Sequence, residues 1–382
     1  MVSLASLLAF IAEALVLLPV LLIATVVATI VQFLARGCRP RFPKWTLRFE
    51  IATALKRCIT ERYGESMTHE PAATRFRRVT EVLGNMAGRA ACRSHGTHVE
   101  PEIANGLEHL WIKAAVTSTA GEKQRRTQRF VVLYYHGGGY VVYCPRYFIA
   151  YCNLLRANIL DQLQAQFPKD SVELDVFIAN YRKAPLHPLP VPADDAVLAY
   201  EFLVQHHKIA PNRILLAGDS AGGGLVMSTL LRLRDAGKSS IMPLAAMITC
   251  PYVDMSPENS DFLSPPYCGL SQSLMAAFRR ALLKNPDDPA SWRPHSVVHS
   301  DLRNLPPVFV QAADLDYIFN NATRLIAKAE ADGVRNWEID IHEGVPHVFT
   351  TSSPSVLPYA LVGVQRISTF AAKHIHQSLT KL

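Results

Sequence analysis

Residues 4–34 are almost wholly apolar, interrupted by Ser6, Glu13, Thr25, Thr29 and Gln32. The cleanest part, residues 14–34, has the length of about 20 residues that a helix needs to cross a bilayer, and Pro19 is tolerable in a membrane helix. A cleaved signal peptide would have a basic start and a shorter apolar run, so the stretch reads as a retained anchor. Beyond Trp45 the pattern changes. Leu47, Ile51, Leu55 and Ile59 recur every four residues, on one helix face. A second helix is expected over residues 74–86, a loop after Ala87, and a strand near residues 110–115. From Phe130 onward, short apolar runs alternate with helical patterns. The runs span 130–135, 174–179, 214–217, 244–250, 307–312 and 337–342. Helices are expected over 146–167, 194–207, 225–234 (with Gly237 as C-cap), 320–332 and 355–378. Four prolines between Pro185 and Pro192 argue against helix or central strand there. Strands and helices alternating at this spacing predict a mostly parallel sheet covered on both faces. Residues 256–298, rich in Pro, Ser and Asp around a short helix at 271–283, interrupt the rhythm and read as an insertion.

The length of 382 residues, 49% hydrophobic and 19% charged, suits one large α/β domain or two smaller ones. The net charge of +7 is clustered: Arg36, Arg39, Arg41, Lys44 and Arg48, then Lys123, Arg125, Arg126 and Arg129. No recognition motif or aromatic platform accompanies either cluster, which argues against nucleic-acid binding. The first flanks the apolar helix and, by the positive-inside rule, places the chain that follows it in the cytosol. The second reads as a solvated loop. Seven cysteines show no C-x-x-C pair and no metal-ligand spacing, so they read as small apolar residues or at most one or two bridges. Neither a metal nor a cofactor is indicated.

The chemistry lies at the ends of the strand-like runs, where ligands of parallel sheets bind. Gly218-Asp219-Ser220-Ala221-Gly222 follows one run and opens a helix, the G-x-S-x-G turn that throws a serine hydroxyl clear of the sheet. Another run ends in His136-Gly137-Gly138-Gly139, where glycines let main-chain N–H groups turn toward a ligand. His136 itself is expected to organise the loop. Asp314 and Asp316 follow a third run, and His347 follows the last. Serine, acid and histidine thus occur in the order of an α/β-hydrolase. In that arrangement His347 takes the proton of Ser220 and the carboxylate holds the imidazole. The N–H groups of Gly138, Gly139 and Ala221 are placed to receive the oxyanion.

His136-Gly137-Gly138-Gly139 together with Gly218-Asp219-Ser220-Ala221-Gly222-Gly223 resembles the hormone-sensitive lipase-type branch of the α/β-hydrolases. Tyr181-Arg182-x-Ala184-Pro185-x-His187-Pro188-x-Pro190 and Leu305-Pro306-Pro307 are similar to further motifs of that branch. The resemblance runs from about Phe130 to the C-terminus. It implies ester hydrolysis, oxyanion donors at Gly138, Gly139 and Ala221, and a helical cap made from N-terminal helices and an insertion. The implied organisation is an anchor and basic flank (1–44), cap helices and a connection to the sheet (45–125), and an α/β-hydrolase domain (126–382) with its cap insertion at 256–298. The family acid stands in an Asp-Pro-Leu context, replaced here by Asp316-Tyr317-Ile318. Counting back from Gly333 favours Asp316 as the acid, with Asp314 as the alternative. An anchor ahead of such a domain resembles arylacetamide deacetylases and fungal steryl acetyl hydrolases. That resemblance implies an endoplasmic reticulum membrane protein with a lumenal catalytic domain, opposite to what the flanking charges imply. Asn321-Ala322-Thr323 is a glycosylation sequon, though on an expected helix. The expected substrate is an apolar ester with a short acyl group. An acyltransferase or lactonase with the same triad, or a non-catalytic ligand-binding relative, is the alternative.

Overall fold

The computed structural model describes residues 17–115, 128–170, 172–257 and 267–380. The first part of the expected anchor, Lys123, Arg125 and Arg126 of the second basic cluster, and residues 258–266 of the expected insertion lie outside the described residues.

Eight strands form one sheet: β1 (Thr97–Ala104), β2 (Leu107–Ala114), β3 (Gln128–Tyr135), β4 (Val172–Ala179), β5 (Ile214–Asp219), β6 (Ala245–Thr249), β7 (Val308–Ala313) and β8 (Glu338–His342). Their order is β1-β2-β4-β3-β5-β6-β7-β8. From β4 to β8 all pairings are parallel, while β2 joins β1 and β4 antiparallel. Alternation along β3 feeds two cores. Val131, Leu133 and Tyr135 pack on one face of the sheet with α5 (Val191–Gln205), α6 (Ala221–Asp235) and α8 (Phe319–Ala331). Phe130, Val132 and Tyr134 pack on the other with α4 (Ile149–Gln166) and α9 (Ala360–Thr380).

Ahead of the sheet come α1 (Leu18–Ala35), α2 (Leu47–Tyr63) and α3 (Ala72–His95). α1 has the length and hydropathy of a membrane anchor or a signal sequence, and Val20, Ile23, Val27, Val31 and Leu34 on it are exposed. Within the expected insertion, α7 (Gln272–Leu282) packs on α2.

Three local expectations are corrected. α3 does not end near Ala87 but runs to His95. Gly84 and Gly88 allow close packing within it: a Cβ at Gly84 would lie 2.4 Å from the Tyr147 Cα. β1 has no counterpart among the expected strands; it pairs with β2 through an Asn105-Gly106 turn in which both residues have positive φ, the usual two-residue hairpin connection. Finally, α5 begins at Val191, with Pro192 in its first turn, where a missing N–H costs nothing. The Asn321 side chain is fully buried and accepts hydrogen bonds from the Val253 and Asp254 N–H groups at 3.0 and 2.8 Å, so in this fold the sequon is closed to glycosylation.

Candidate active site

β5 ends at Asp219 and α6 begins at Ala221, so Ser220 alone makes the turn. Its φ of 50° and ψ of −120° lie in a sparsely populated region that costs on the order of 1–3 kcal/mol. Three main-chain hydrogen bonds hold it there. Its N–H donates to the Thr249 carbonyl at 2.9 Å, and its carbonyl accepts from Tyr252 and Gly224 at 2.8 and 3.1 Å. A Cβ at Gly222 would stand 1.9 Å from the Tyr135 carbonyl oxygen, and one at Gly218 would stand 2.5 Å from Gly222. The two flanking glycines are therefore a steric requirement of the turn.

Tyr135 ends β3 and leads into His136-Gly137-Gly138-Gly139. Asp219 ties this loop to the serine turn. Its Oδ1 accepts from the Tyr134 hydroxyl at 2.5 Å and from the Gly137 N–H at 2.9 Å. Burial pushes its carboxyl above the ordinary range, against the pull of these bonds and of the nearby His347 imidazole. Gly138 and Gly139 have φ of 115° and 59°. Among the described residues, nothing accepts a main-chain hydrogen bond from either N–H. Ala221 opens α6, so its N–H is one of the donors without an intrahelical acceptor. His136 stacks between Tyr181 and Phe148, with centroids 4.6 and 5.3 Å away. Its Nδ1 hydrogen bonds the Gly137 carbonyl at 2.7 Å, and burial pushes its pKa well down. It is a neutral piece of the loop's architecture.

Asp316 follows β7 and His347 follows β8. The His347 Nδ1 lies 2.7 Å from the Asp316 Oδ2, with both side chains buried. The other Asp316 oxygen, Oδ1, accepts from the Ile318 N–H at 3.0 Å. Asp314 points elsewhere: its Oδ1 accepts from the Gly344 N–H at 2.6 Å and shapes the loop ahead of His347. Val348, a β-branched residue, has φ 47° and ψ 40°, a left-handed conformation that is rare for its type. Cys250 (φ 45°) and Ser220 are also at positive φ, which concentrates backbone strain around the strand ends.

Two cysteines read from sequence as bland apolar residues belong to this neighbourhood. The Cys250 Sγ accepts from the Val348 N–H at 3.4 Å. The Cys268 Sγ accepts from Leu270 and Tyr317 at 3.4 Å and lies 3.9 Å from the Asp316 Oδ1. No spacing signal links either to the acid. Donor atoms of Cys250, Asp316 and His347 lie within 4.8 Å of one another, but the set fits a metal poorly. The His347–Asp316 pair is already hydrogen bonded, and burial pushes the Cys250 thiol well up, away from the thiolate that a metal requires.

The N-terminal segment braces the histidine loop. The Trp45 Nε1 donates to the Gly344 carbonyl at 2.8 Å and the Lys44 Nζ to the Glu343 carbonyl at 2.7 Å. From α2, the Arg57 Nη1 donates to the Cys268 and Leu270 carbonyls at 3.1 and 2.7 Å. Phe278 of α7 lies so close over Gly139 that a Cβ there would stand 2.5 Å from its ring. Asp219, Cys268 and this bracing segment are contributions that sequence reasoning missed; each depends on contacts between distant parts of the chain.

The sequence profile of the alpha/beta hydrolase fold matches residues 132–351. The chain belongs to that family. It is similar to an acetyl-hydrolase of Streptomyces hygroscopicus, with 30% identity over 67% of this chain and 74% of the relative. It is also 29% identical to the carboxylesterase/phospholipase LipF of Mycobacterium tuberculosis, over 63% of this chain and 61% of that protein. Among solved structures, a bacterial hormone-sensitive lipase family esterase superposes with a TM-score of 0.63 at 27% identity, over 86% of this chain and 98% of the other. This α/β hydrolase thus stands among esterases and acetyl-hydrolases of the hormone-sensitive lipase type.

Proposed function

We propose that this α/β hydrolase is a serine carboxylic-ester hydrolase in which Ser220, His347 and Asp316 form the triad. The observation that carries the reading is the 2.7 Å contact between the His347 Nδ1 and the Asp316 Oδ2. It commits Nδ1 to donating and leaves Nε2 as the base for the Ser220 hydroxyl. Ser220 attacks the ester carbonyl and His347 takes its proton. The oxygen that becomes negative is received by the N–H groups of Gly138, Gly139 and Ala221, with loss of one such donor typically costing about 10²–10³ in rate. His347 returns the proton to the leaving alcohol. Water, activated by the same imidazole, then releases the acid from the acyl-serine.

The substrate class is an apolar ester with a short acyl group. Phe278 over the glycine loop and the acetyl-hydrolase relative support that choice. α1 serves as a membrane anchor, and the family resemblance favours the endoplasmic reticulum with the catalytic domain in its lumen. Digestion of that domain by protease added to sealed microsomes would reverse the orientation. A fluorophosphonate probe should label the protein, and Ser220→Ala should abolish labelling. Persistent labelling of the folded variant would end the assignment of Ser220. Comparing acetyl, butyryl and longer esters tests the acyl preference, with fastest turnover expected on the shortest.

A further inference from the structure

α3 packs with the opposite polarity from an ordinary water-soluble helix. Its buried face is small, formed by Ala73, Thr80, Gly84 and Gly88. Phe76 packs inward against Tyr143, but the other large apolar residues point outward: Val79, Val82, Leu83 and Met86 are 58, 60, 54 and 67% exposed. Their i, i+3, i+4, i+7 spacing makes one continuous stripe, which a soluble helix would turn to the core. Such an exposed stripe marks an interaction surface.

The flanks indicate what covers it. Arg75 and Arg78 are exposed toward one end, Arg89 and Arg93 toward the other. Among the described residues, no carboxylate forms an ion pair with Arg78, Arg89 or Arg93, and the acid of this helix, Glu81, lies 3.4 Å from Arg146. Pairing this face with itself across a twofold axis would set arginines against arginines. An anionic bilayer surface fits both features: the stripe enters the headgroup–acyl boundary while the guanidinium groups reach phosphates.

We propose that the outer face of α3 is a membrane contact, distinct from α1, that lies in the interface of a bilayer containing anionic lipid. Behind that face, the Arg77 Nη1 donates to the Val141 carbonyl at 2.8 Å, and Gly84 abuts the Arg146 and Tyr147 backbone. The contact therefore bears on the segment that follows Gly138 and Gly139, and sets that part of the molecule against the lipid. This inference does not depend on the ester-hydrolase reading.

The test uses the full chain in nanodiscs of phosphatidylcholine with phosphatidylserine, doped with a phosphatidylcholine bearing a photoactivatable acyl chain. Trypsin cuts after Arg78 and Arg89 and releases residues 79–89 as one peptide. That peptide should carry lipid adducts, with the peptide containing α1 as an internal reference. Val82→Glu with Met86→Glu should remove the adducts from 79–89 and leave those on α1. In the variant with Arg78 and Arg89 replaced by Gln, trypsin instead releases residues 78–93, and labelling of that peptide should fall by about fivefold per arginine. Absence of label from 79–89, whether or not α1 is labelled, overturns the proposal. Adducts that persist in the double glutamate variant, or a crosslink from this face to a second copy of the chain, do the same.

Discussion

Asp314 and Asp316 stand two residues apart after the same strand, and their Asn variants separate the roles proposed for them. In Asp316→Asn the amide has two orientations, and the structure selects one. The Ile318 N–H donates to Oδ1 at 3.0 Å, so the amide oxygen stays at that position and the NH₂ group takes the place of Oδ2. Oδ2 is the atom 2.7 Å from the His347 Nδ1. An NH₂ there is a donor facing Nδ1, which must then accept and give up its proton. The imidazole turns to the tautomer that carries hydrogen on Nε2 and can no longer take the proton of Ser220. The equivalent change in a serine-protease triad lowers turnover about 10⁴-fold, which corresponds to roughly 5.5 kcal/mol of barrier. Asp314→Asn differs, because its amide oxygen can still accept from the Gly344 N–H. Loss of the charge on that 2.6 Å hydrogen bond should cost about 1 kcal/mol of stability and leave kcat/KM within about threefold of the parent. The assay is p-nitrophenyl acetate hydrolysis by both variants, with far-ultraviolet circular dichroism and thermal melts establishing that each is folded. Activity in Asp316→Asn above about a tenth of the parent's, or collapse of activity in a folded Asp314→Asn, would refute the assignment.

Burial and packing give two further outcomes. Burial lowers the Lys183 ammonium from its usual 10.5 to about 7, so between those values the unfolded chain holds a proton that the native state lacks. Stability then rises with pH across that window and levels off below it, by as much as about 1.4 kcal/mol per pH unit; Lys183→Met should remove this part of the slope in urea unfolding at several alkaline pH values, and an unchanged slope would contradict it. Gly222→Ala puts a methyl group 1.9 Å from the Tyr135 carbonyl oxygen, which should cost about 3 kcal/mol or more; a melting temperature equal to the parent's would show that the turn can relax.

Strands β3 to β7 are legible in the sequence because parallel strands buried on both faces are written as near-continuous apolar runs, while the edge strand β8 shows instead as an alternation of Glu338-Ile339-Asp340-Ile341-His342. Of the β1–β2 hairpin, β2 is foreseen near residues 110–115 but β1 and the pairing are not. The hairpin lies at the sheet edge, and His98, Glu100, Glu102 and Glu108 break its apolar pattern; the Asn105-Gly106 pair is the one local cue. The end of α3 is misplaced by sequence reasoning because Gly88 and the polar residues after Ala87 read as a loop, whereas contact with Ile149 is what selects Gly88. Ser220 and the glycine loop announce themselves because their backbone geometry admits few sequences. The choice between Asp314 and Asp316 has no comparable local mark. It depends on which carboxylate meets Gly344 and which meets His347, some 30 residues further along the chain. The Cys268 thiol beside Asp316 comes from a segment 48 residues earlier in the chain, and such a tertiary contact leaves no periodicity to read.

The bracing of the histidine loop by Lys44 and Trp45 also bears on where a version of this enzyme without α1 can be cut. Removing the chain through Trp45 would strip the Gly344 and Glu343 carbonyls of their side-chain donors. It would also remove Arg36 and Arg41, whose guanidinium and N–H groups respectively meet the buried Glu50. A cut just before Arg36 keeps all of these. In mechanical terms, the short link after α1 is a tether fastened to the loop that carries His347. On the proposal that α1 anchors the chain, tension on it is delivered to that loop before it reaches the sheet.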